Sequence, residues 1–147
     1  MIAFVHLDLN RIHQSPADYS WPRPECPRCG SATVWGHGFV SMYFEGFETA
    51  LEMRRYRCPV CRCVIRLRPL GYFPRLQTTI ENIRSILAQR LHTGRWPGPG
   101  LRSRAGHWLR ALKTNARALL GLSWRNNLLG AFDRLLREDR MPVSRLL

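Results

Sequence analysis

Acidic residues and lysine are scarce in this chain. Of its 147 residues, 10 are Asp or Glu and 23 are Lys or Arg, which gives a formal net charge of +13 at pH 7. Lys113 is the only lysine, so the positive charge resides almost entirely on arginine, whose planar guanidinium grips phosphate through paired hydrogen bonds. A surface of this sign favours polyanionic partners. An arginine-rich composition also follows from a GC-rich genome, so composition alone does not identify the partner.

A long apolar run is absent as well. No segment approaches the roughly 18 to 20 apolar residues that a bilayer-spanning helix requires. The apolar start of the chain, residues 1–9, contains His6 and Asp8 and lacks the basic region of a signal peptide. We therefore expect a protein without a membrane partner, located in the cytoplasm and associated with the nucleoid.

The few carboxylates also argue against an enzyme. An enzyme that cleaves nucleic acid with two metal ions needs several acidic ligands on a large mixed core, yet no Asp or Glu occurs from Asn82 to Phe132. The sequence shows neither a nucleophile elbow nor a glycine-rich phosphate loop. We predict that the protein is not an enzyme and has no small-molecule substrate.

The chain has few cysteines, but most of them are regularly spaced. Four of the five cysteines form two Cys-x-x-Cys pairs, Cys26 with Cys29 and Cys58 with Cys61. Zinc accepts four thiolates in a tetrahedron at about 2.3 Å, whereas a redox Cys-x-x-Cys normally occurs once, at the start of a helix. Two pairs on strand-like segments therefore predict one structural Zn²⁺ ion held by Cys26, Cys29, Cys58 and Cys61.

Two further residues are possible ligands. Cys63 is able to replace Cys61, although the Cys-x-x-Cys spacing favours Cys61. His37 is adjacent to a glycine and fits a turn or strand histidine better than a ligand. Arg62 follows the second pair at the position where Gly30 follows the first.

The pattern of the chain predicts an α+β fold in three parts. Residues 1–24 form an N-terminal strand and a proline-rich connector, and residues 25–75 alternate like the strands of a small antiparallel zinc ribbon, with a turn at His37-Gly38. Residues 76–147 form a basic region of three helices, because apolar residues there recur every three or four positions. The third of these helices is predicted from about Trp124 to about Glu138.

The second predicted helix carries the candidate nucleic-acid contacts. Its apolar stripe runs from Leu101 to Leu119, and basic residues lie on an adjoining face. Two amphipathic helices joined across a Gly/Pro loop suit a helix-turn-helix, whose second helix enters a major groove. A charged face is often only a solvated one, but solvated faces usually mix signs. The predicted contacts are Arg102, Arg104, Arg110, Lys113 and Arg117.

Four segments together resemble the transposase-type zinc ribbon of bacterial insertion-sequence proteins. They are Cys26-Pro27-Arg28-Cys29-Gly30-Ser31, Trp35-Gly36-His37-Gly38-Phe39, Arg55-Tyr56-Arg57-Cys58-Pro59-Val60-Cys61 and Arg68-Pro69-Leu70-Gly71-Tyr72-Phe73-Pro74-Arg75. The resemblance covers residues 25 to about 92 well and the rest of the chain loosely, and in that family the ribbon is often followed by a helix-turn-helix. It implies zinc at the four paired cysteines and DNA as the partner. The chain departs from the family at Arg62, where glycine is usual, and in having no catalytic domain downstream.

These observations predict a zinc-ribbon DNA-binding accessory or regulatory protein associated with a mobile element or a transposase, or a remnant of a longer transposase. Two other functions stay open at this point. One is an RNA- or ribosome-associated zinc ribbon, because the same charges bind RNA phosphates. The other is a protein-interaction module that docks a transposase or polymerase.

Overall fold

The structure is a computed structural model that describes residues 1–145. Within this range it contains four β-strands, four α-helices and one 3-10 helix, so the predicted α+β class is confirmed. The chain forms two compact units that divide between Thr79 and Ile80. Residues 146 and 147, the end of the predicted helical region, lie outside the described residues.

The first unit contains a four-stranded mixed sheet. Its strands are β1 (Ile2–Val5), β2 (Trp35–Met42), β3 (Leu51–Arg57) and β4 (Val64–Pro69), in the order β1-β4-β3-β2. The pairs β2–β3 and β3–β4 are antiparallel, as predicted, but β1 runs parallel to β4. The antiparallel strands predicted within residues 25–75 are therefore confirmed, whereas the N-terminal strand, predicted as a separate part of the chain, joins the same sheet as a parallel edge strand. Alternation of apolar residues shows which face a strand buries and carries no information on its partner's direction.

The predicted turn at His37-Gly38 is a β-bulge inside β2. Gly36 pairs with Tyr56 and Phe39 pairs with Arg54, so two residues of β2 face the single residue between them on β3. Gly38 has a φ of +73°, a backbone conformation that glycine adopts without steric cost. The chain therefore twists at this point and continues as one strand.

Two apolar clusters fill the first unit. One contains Val34, Tyr56, Ile65 and Leu67 together with buried Cys26 and Cys58. The other surrounds Ile12 of helix α1 (Leu9–Gln14), with Phe44, Leu51 and Met53. The Asp8 side chain accepts a hydrogen bond from the Arg11 N–H at 3.0 Å and so caps α1. The cysteine turns are thus anchored in the same core as the sheet.

The second unit is helical. It contains α2 (Ile80–Thr93), α3 (Leu101–Leu120), the 3-10 helix Leu122–Asn126 and α4 (Leu128–Arg137). The predicted third helix therefore begins as a 3-10 turn. It becomes α-helical after Asn127, whose side chain accepts a hydrogen bond from the Gly130 N–H at 3.0 Å.

Apolar faces of the three α-helices form the core of this unit. The predicted α3 stripe is buried at Ala105, Trp108, Leu112 and Ala116, and α4 buries Phe132 and Leu135. Among the described residues, no helix combines the length and apolarity needed to cross a bilayer.

Two polar contacts tie the helical unit together. Arg84 of α2 donates from two nitrogens to the two carboxylate oxygens of Asp133 on α4, each at 2.7 Å. Asn115 of α3 is fully buried, and its amide nitrogen lies 2.7–3.3 Å from the carbonyl oxygens of Met141, Pro142 and Ser144. Asn115 therefore holds the segment after α4 against α3.

Candidate metal centre and basic surface

The sulfurs of Cys26, Cys29, Cys58 and Cys61 all lie within 4.8 Å of one another. The Cys26 and Cys61 sulfurs are 3.5 Å apart, and those of Cys29 and Cys58 are 3.6 Å apart. Four ligands at about 2.3 Å from one tetrahedral ion lie about 3.8 Å from each other. The cluster can therefore hold one metal ion, and the structure brings together the four cysteines that the sequence predicted.

The two cysteine turns share one backbone conformation. In the first turn the Cys26 N–H donates to the Ser31 carbonyl at 2.8 Å, and in the second the Cys58 N–H donates to the Cys63 carbonyl at 3.0 Å. The residue after the second cysteine is left-handed in both turns, with φ +72° at Gly30 and +58° at Arg62. Arg62 thus adopts the conformation that glycine provides elsewhere, and the departure from glycine leaves the turn intact.

Backbone N–H groups point at the cysteine sulfurs. Burial raises the pKa of Cys26, but hydrogen bonds from the Cys29 and Arg28 N–H groups, together with the neighbouring thiols, outweigh it and lower that pKa to about 6. In the second turn, the Cys63 N–H is the main cause of the lowered pKa of Cys61. Both turns therefore stabilise sulfur in the thiolate form, which is the form that binds a metal.

Ionisation of Cys26 and Cys61 is favoured at the expense of the neighbouring thiols Cys29 and Cys63. The Ser31 N–H favours the thiolate of Cys29, yet burial and the nearby thiols raise its pKa to about 12. Burial, followed by the thiols of Cys61 and Cys26, raises the pKa of Cys63 to about 12 as well. A divalent cation offsets this repulsion, because coordination deprotonates a thiol outright. The donor set, four thiols with amides aimed at the sulfurs, therefore fits a cation that prefers sulfur.

Cys63 and His37, the two alternative ligands, lie in different surroundings. The Cys63 sulfur is 3.4 Å from that of Cys26, but Cys63 does not belong to the set of four mutually close sulfurs. His37 is an exposed residue of the β2 bulge and lies outside that set. Cys63 occupies the position in the second turn that Ser31 occupies in the first, which explains why it approaches the cluster without completing it.

All five predicted nucleic-acid contacts are exposed residues of α3. At about 100° per residue, Arg102, Arg110, Lys113 and Arg117 fall within one sector of about 80°. These four residues are named the α3 basic face below. Among the described residues, none of them forms an ion pair with a carboxylate.

Arg104 lies apart from the α3 basic face. It falls on the other side of the buried stripe, and its guanidinium lies 5.1 Å from the centre of the Trp108 ring. Trp108 is itself buried, as the apolar stripe predicted. The structure therefore separates Arg104 from the other four predicted contacts.

Two clefts flank α3 and extend its positive surface. A cleft of about 320 Å³ is lined by Lys113, Arg117 and Arg125, together with apolar residues. A second cleft of about 390 Å³ is lined by Arg110 and Arg145. Arg125 and Arg145 were absent from the predicted contacts because they follow α3 in sequence and only the turn of the chain brings them beside it.

Seven residues, 94–100, separate α2 from α3. This loop is longer than the three or four residues that join the helices of a helix-turn-helix motif. The helix-turn-helix arrangement therefore stays a prediction. The guanidinium of Arg90 lies 5.3 Å from the centre of the ring of Trp96, a residue of this loop.

Comparison with known proteins adds no relative. No protein-family model matches the chain, and neither a curated protein nor a solved structure matches it significantly.

Proposed function

We propose that this protein is a zinc-ribbon DNA-binding protein that acts as an accessory or regulator, in association with a transposase or mobile element. The α3 basic face carries the proposal. Four exposed cations share one side of a helix, no described carboxylate neutralises them, and arginine-lined clefts adjoin them. Such a surface suits contact with the regularly spaced phosphates of a nucleic acid backbone.

The metal in this proposal is one Zn²⁺ ion with a structural role. Four thiolates at these separations suit zinc, and a site filled by four sulfurs leaves no position for a substrate or a reactive water. The first unit is small, and its cysteine turns belong to its core. Zinc would therefore stabilise the fold of the first unit rather than perform chemistry.

Titration of binding against salt concentration tests the DNA-binding surface. Each phosphate neutralised by the protein releases condensed counterions, so removing one contact lowers the slope of log affinity against log salt by about 1. We expect this change for Arg110→Ala and Lys113→Ala on duplex DNA. Arg140→Ala, which removes the same charge from an exposed site outside α3, is the control and should leave the slope unchanged. Equal slopes in wild type and both α3 variants would refute the proposal.

The same titration separates the other two functions. Stronger binding to structured RNA than to duplex DNA would indicate an RNA- or ribosome-associated protein instead. Salt-independent, weak binding to every nucleic acid would indicate a protein-docking module. The association with a transposase rests on the resemblance of residues 25–92 alone, and a transposase or integrase gene next to the coding sequence would support it.

A further inference from the structure

The first unit contains an arginine-lined cavity that neither the metal centre nor the α3 basic face uses. It has a volume of about 490 Å³ and is lined by Arg66 and Arg68 of β4 and by Arg75 of the following loop. Residues two apart in a strand point to the same face, about 6.7 Å from each other, so the two β4 arginines can reach one ligand. The remaining lining residues are Met1, Ile2, Met42, Leu67 and Pro74. None of the described residues that line this cavity is acidic.

Arg68 is the least exposed of the three arginines. Only 4% of it is exposed, and one terminal nitrogen donates to the Leu76 carbonyl. Its Nε is buried and has no hydrogen-bond partner among the described residues. Burial leaves the charge of Arg68 poorly solvated and so lowers its pKa. The guanidinium also lies over the Phe44 ring, 5.7 Å from its centre, and the buried Nε does not open onto the cavity. Arg68 therefore acts on a ligand in the cavity through its poorly solvated positive charge.

The neighbouring strand adds positive charge to the same face. Arg55 of β3 pairs directly with Arg66 of β4, and directly opposed like charges destabilise a sheet. The Nε of Arg55 is also buried and without a hydrogen-bond partner in the described part of the chain. Arg55 does not line the cavity, and its guanidinium extends toward Gly38 of β2, so it is the three arginines of the cavity itself that favour an anion with more than one negative charge.

We propose that this cavity binds the phosphate group of a nucleotide. Arg66, Arg68 and Arg75 hold the phosphate, because guanidinium groups match phosphate oxygens in charge and geometry. Ile2, Met42 and Pro74 lie against the sugar or base. The volume falls within the range of about 300–1,000 Å³ that is typical of small-ligand sites. The phosphate can belong to a free mononucleotide or to the end of a nucleic acid strand, and the site is independent of the α3 basic face.

Methionine methyl NMR on the zinc-loaded full chain tests this site. Met42 lines the cavity, whereas Met53 is fully buried in the core and serves as an internal reference. The probes are adenosine 5′-monophosphate and, without the phosphate, adenosine. Adenosine monophosphate should shift the Met42 signal and leave Met53 in place, and adenosine should shift neither. A single-stranded oligonucleotide with and without a 5′-phosphate forms the second pair of probes.

Arg66→Gln and Arg75→Gln should each weaken adenosine monophosphate binding about tenfold, the usual effect of losing one charge-assisted hydrogen bond. Both residues are exposed, so these variants should fold; Arg57→Gln, an exposed β3 residue outside the cavity lining, is the matched control and should change affinity less than about twofold.

A Met42 shift with the mononucleotide alone identifies a free nucleotide, and a stronger shift with the phosphorylated strand identifies a strand end; both support the site. The proposal fails if neither phosphate probe shifts Met42. It also fails if adenosine binds as well as its phosphate, or if Arg57→Gln weakens binding as much as Arg75→Gln.

Discussion

Each cysteine turn contains one residue in the left-handed conformation, and substitutions there measure how much free energy that conformation costs. Gly30 and Arg62 occupy equivalent positions with φ +72° and +58°. A left-handed conformation costs a non-glycine residue about 1–2 kcal/mol, and glycine loses about 0.5–1 kcal/mol through its greater freedom in the unfolded chain. Arg62→Gly should therefore raise the free energy of unfolding by about 0.5–1 kcal/mol.

The opposite change in the first turn should have the opposite sign. A Cβ added at Gly30 would meet no atom within 4 Å, so Gly30→Ala introduces backbone strain without a clash. We expect it to lower the free energy of unfolding by about 0.5–1 kcal/mol. The two variants thus measure the free-energy cost of the left-handed conformation separately in each turn.

Urea unfolding at a fixed excess of zinc measures both changes, because the zinc concentration itself shifts the apparent stability. Arg62→Ala is the control: it removes the exposed side chain and its charge but keeps the left-handed strain. It should stabilise the protein less than Arg62→Gly. If Arg62→Ala gains as much as Arg62→Gly, relief of charge repulsion is the cause and the reasoning about the backbone is refuted.

Three further predictions follow from the remaining contacts. Elemental analysis should find one zinc ion per chain in the wild type and in Cys63→Ser but none in Cys58→Ser; the reverse result would show that the ligand assignment is wrong. Asp133→Asn should cost less than about 1 kcal/mol at pH 7, because both partners of the Arg84–Asp133 pair are about 40% exposed. Arg84 lowers the pKa of Asp133 in the folded protein, so the ion pair stabilises the fold above the unfolded pKa of about 4. This stabilisation should be lost as the pH falls through the lower folded pKa, and unfolding of the wild type and Asp133→Asn between pH 7 and 2 measures the loss. Asn115→Ala should lower the free energy of unfolding by about 2–3 kcal/mol, because it leaves the carbonyls of the segment after α4 without a donor. The control Thr114→Ala, at a neighbouring exposed site, should lower it much less. Equal losses in thermal unfolding would contradict the role given to Asn115.

Local chemistry made the cluster of four cysteines predictable from the sequence. Each cysteine pair is set by three residues of spacing, and only the meeting of the two pairs depends on the fold. The helices α2 and α3 were predictable for a similar reason, since a periodicity near 3.6 residues persists over three or more turns. The buried Ala105, Trp108 and Leu112 follow directly from that pattern.

Features that depend on distant partners were not predictable in this way. The parallel pairing of β1 with β4 joins residues more than 60 positions apart, as Ile2 with Arg66 shows. His37-Gly38 reads as a turn because its local sequence is the same in a turn and in a bulge. Arg145 joins the surface beside α3 only because Asn115 holds the last described segment there. No local pattern carries this information.

The pairing of β1 with β4 has a consequence for the order of events in folding. Strand β1 cannot pair until β4 has been brought beside it. The long loop between them is slow to close because closing it costs conformational entropy. A metal ion that joins Cys29 to Cys58 shortens this path, because it brings β4 close to the early part of the chain before the sheet is complete. Refolding with zinc present should therefore be faster as well as more complete.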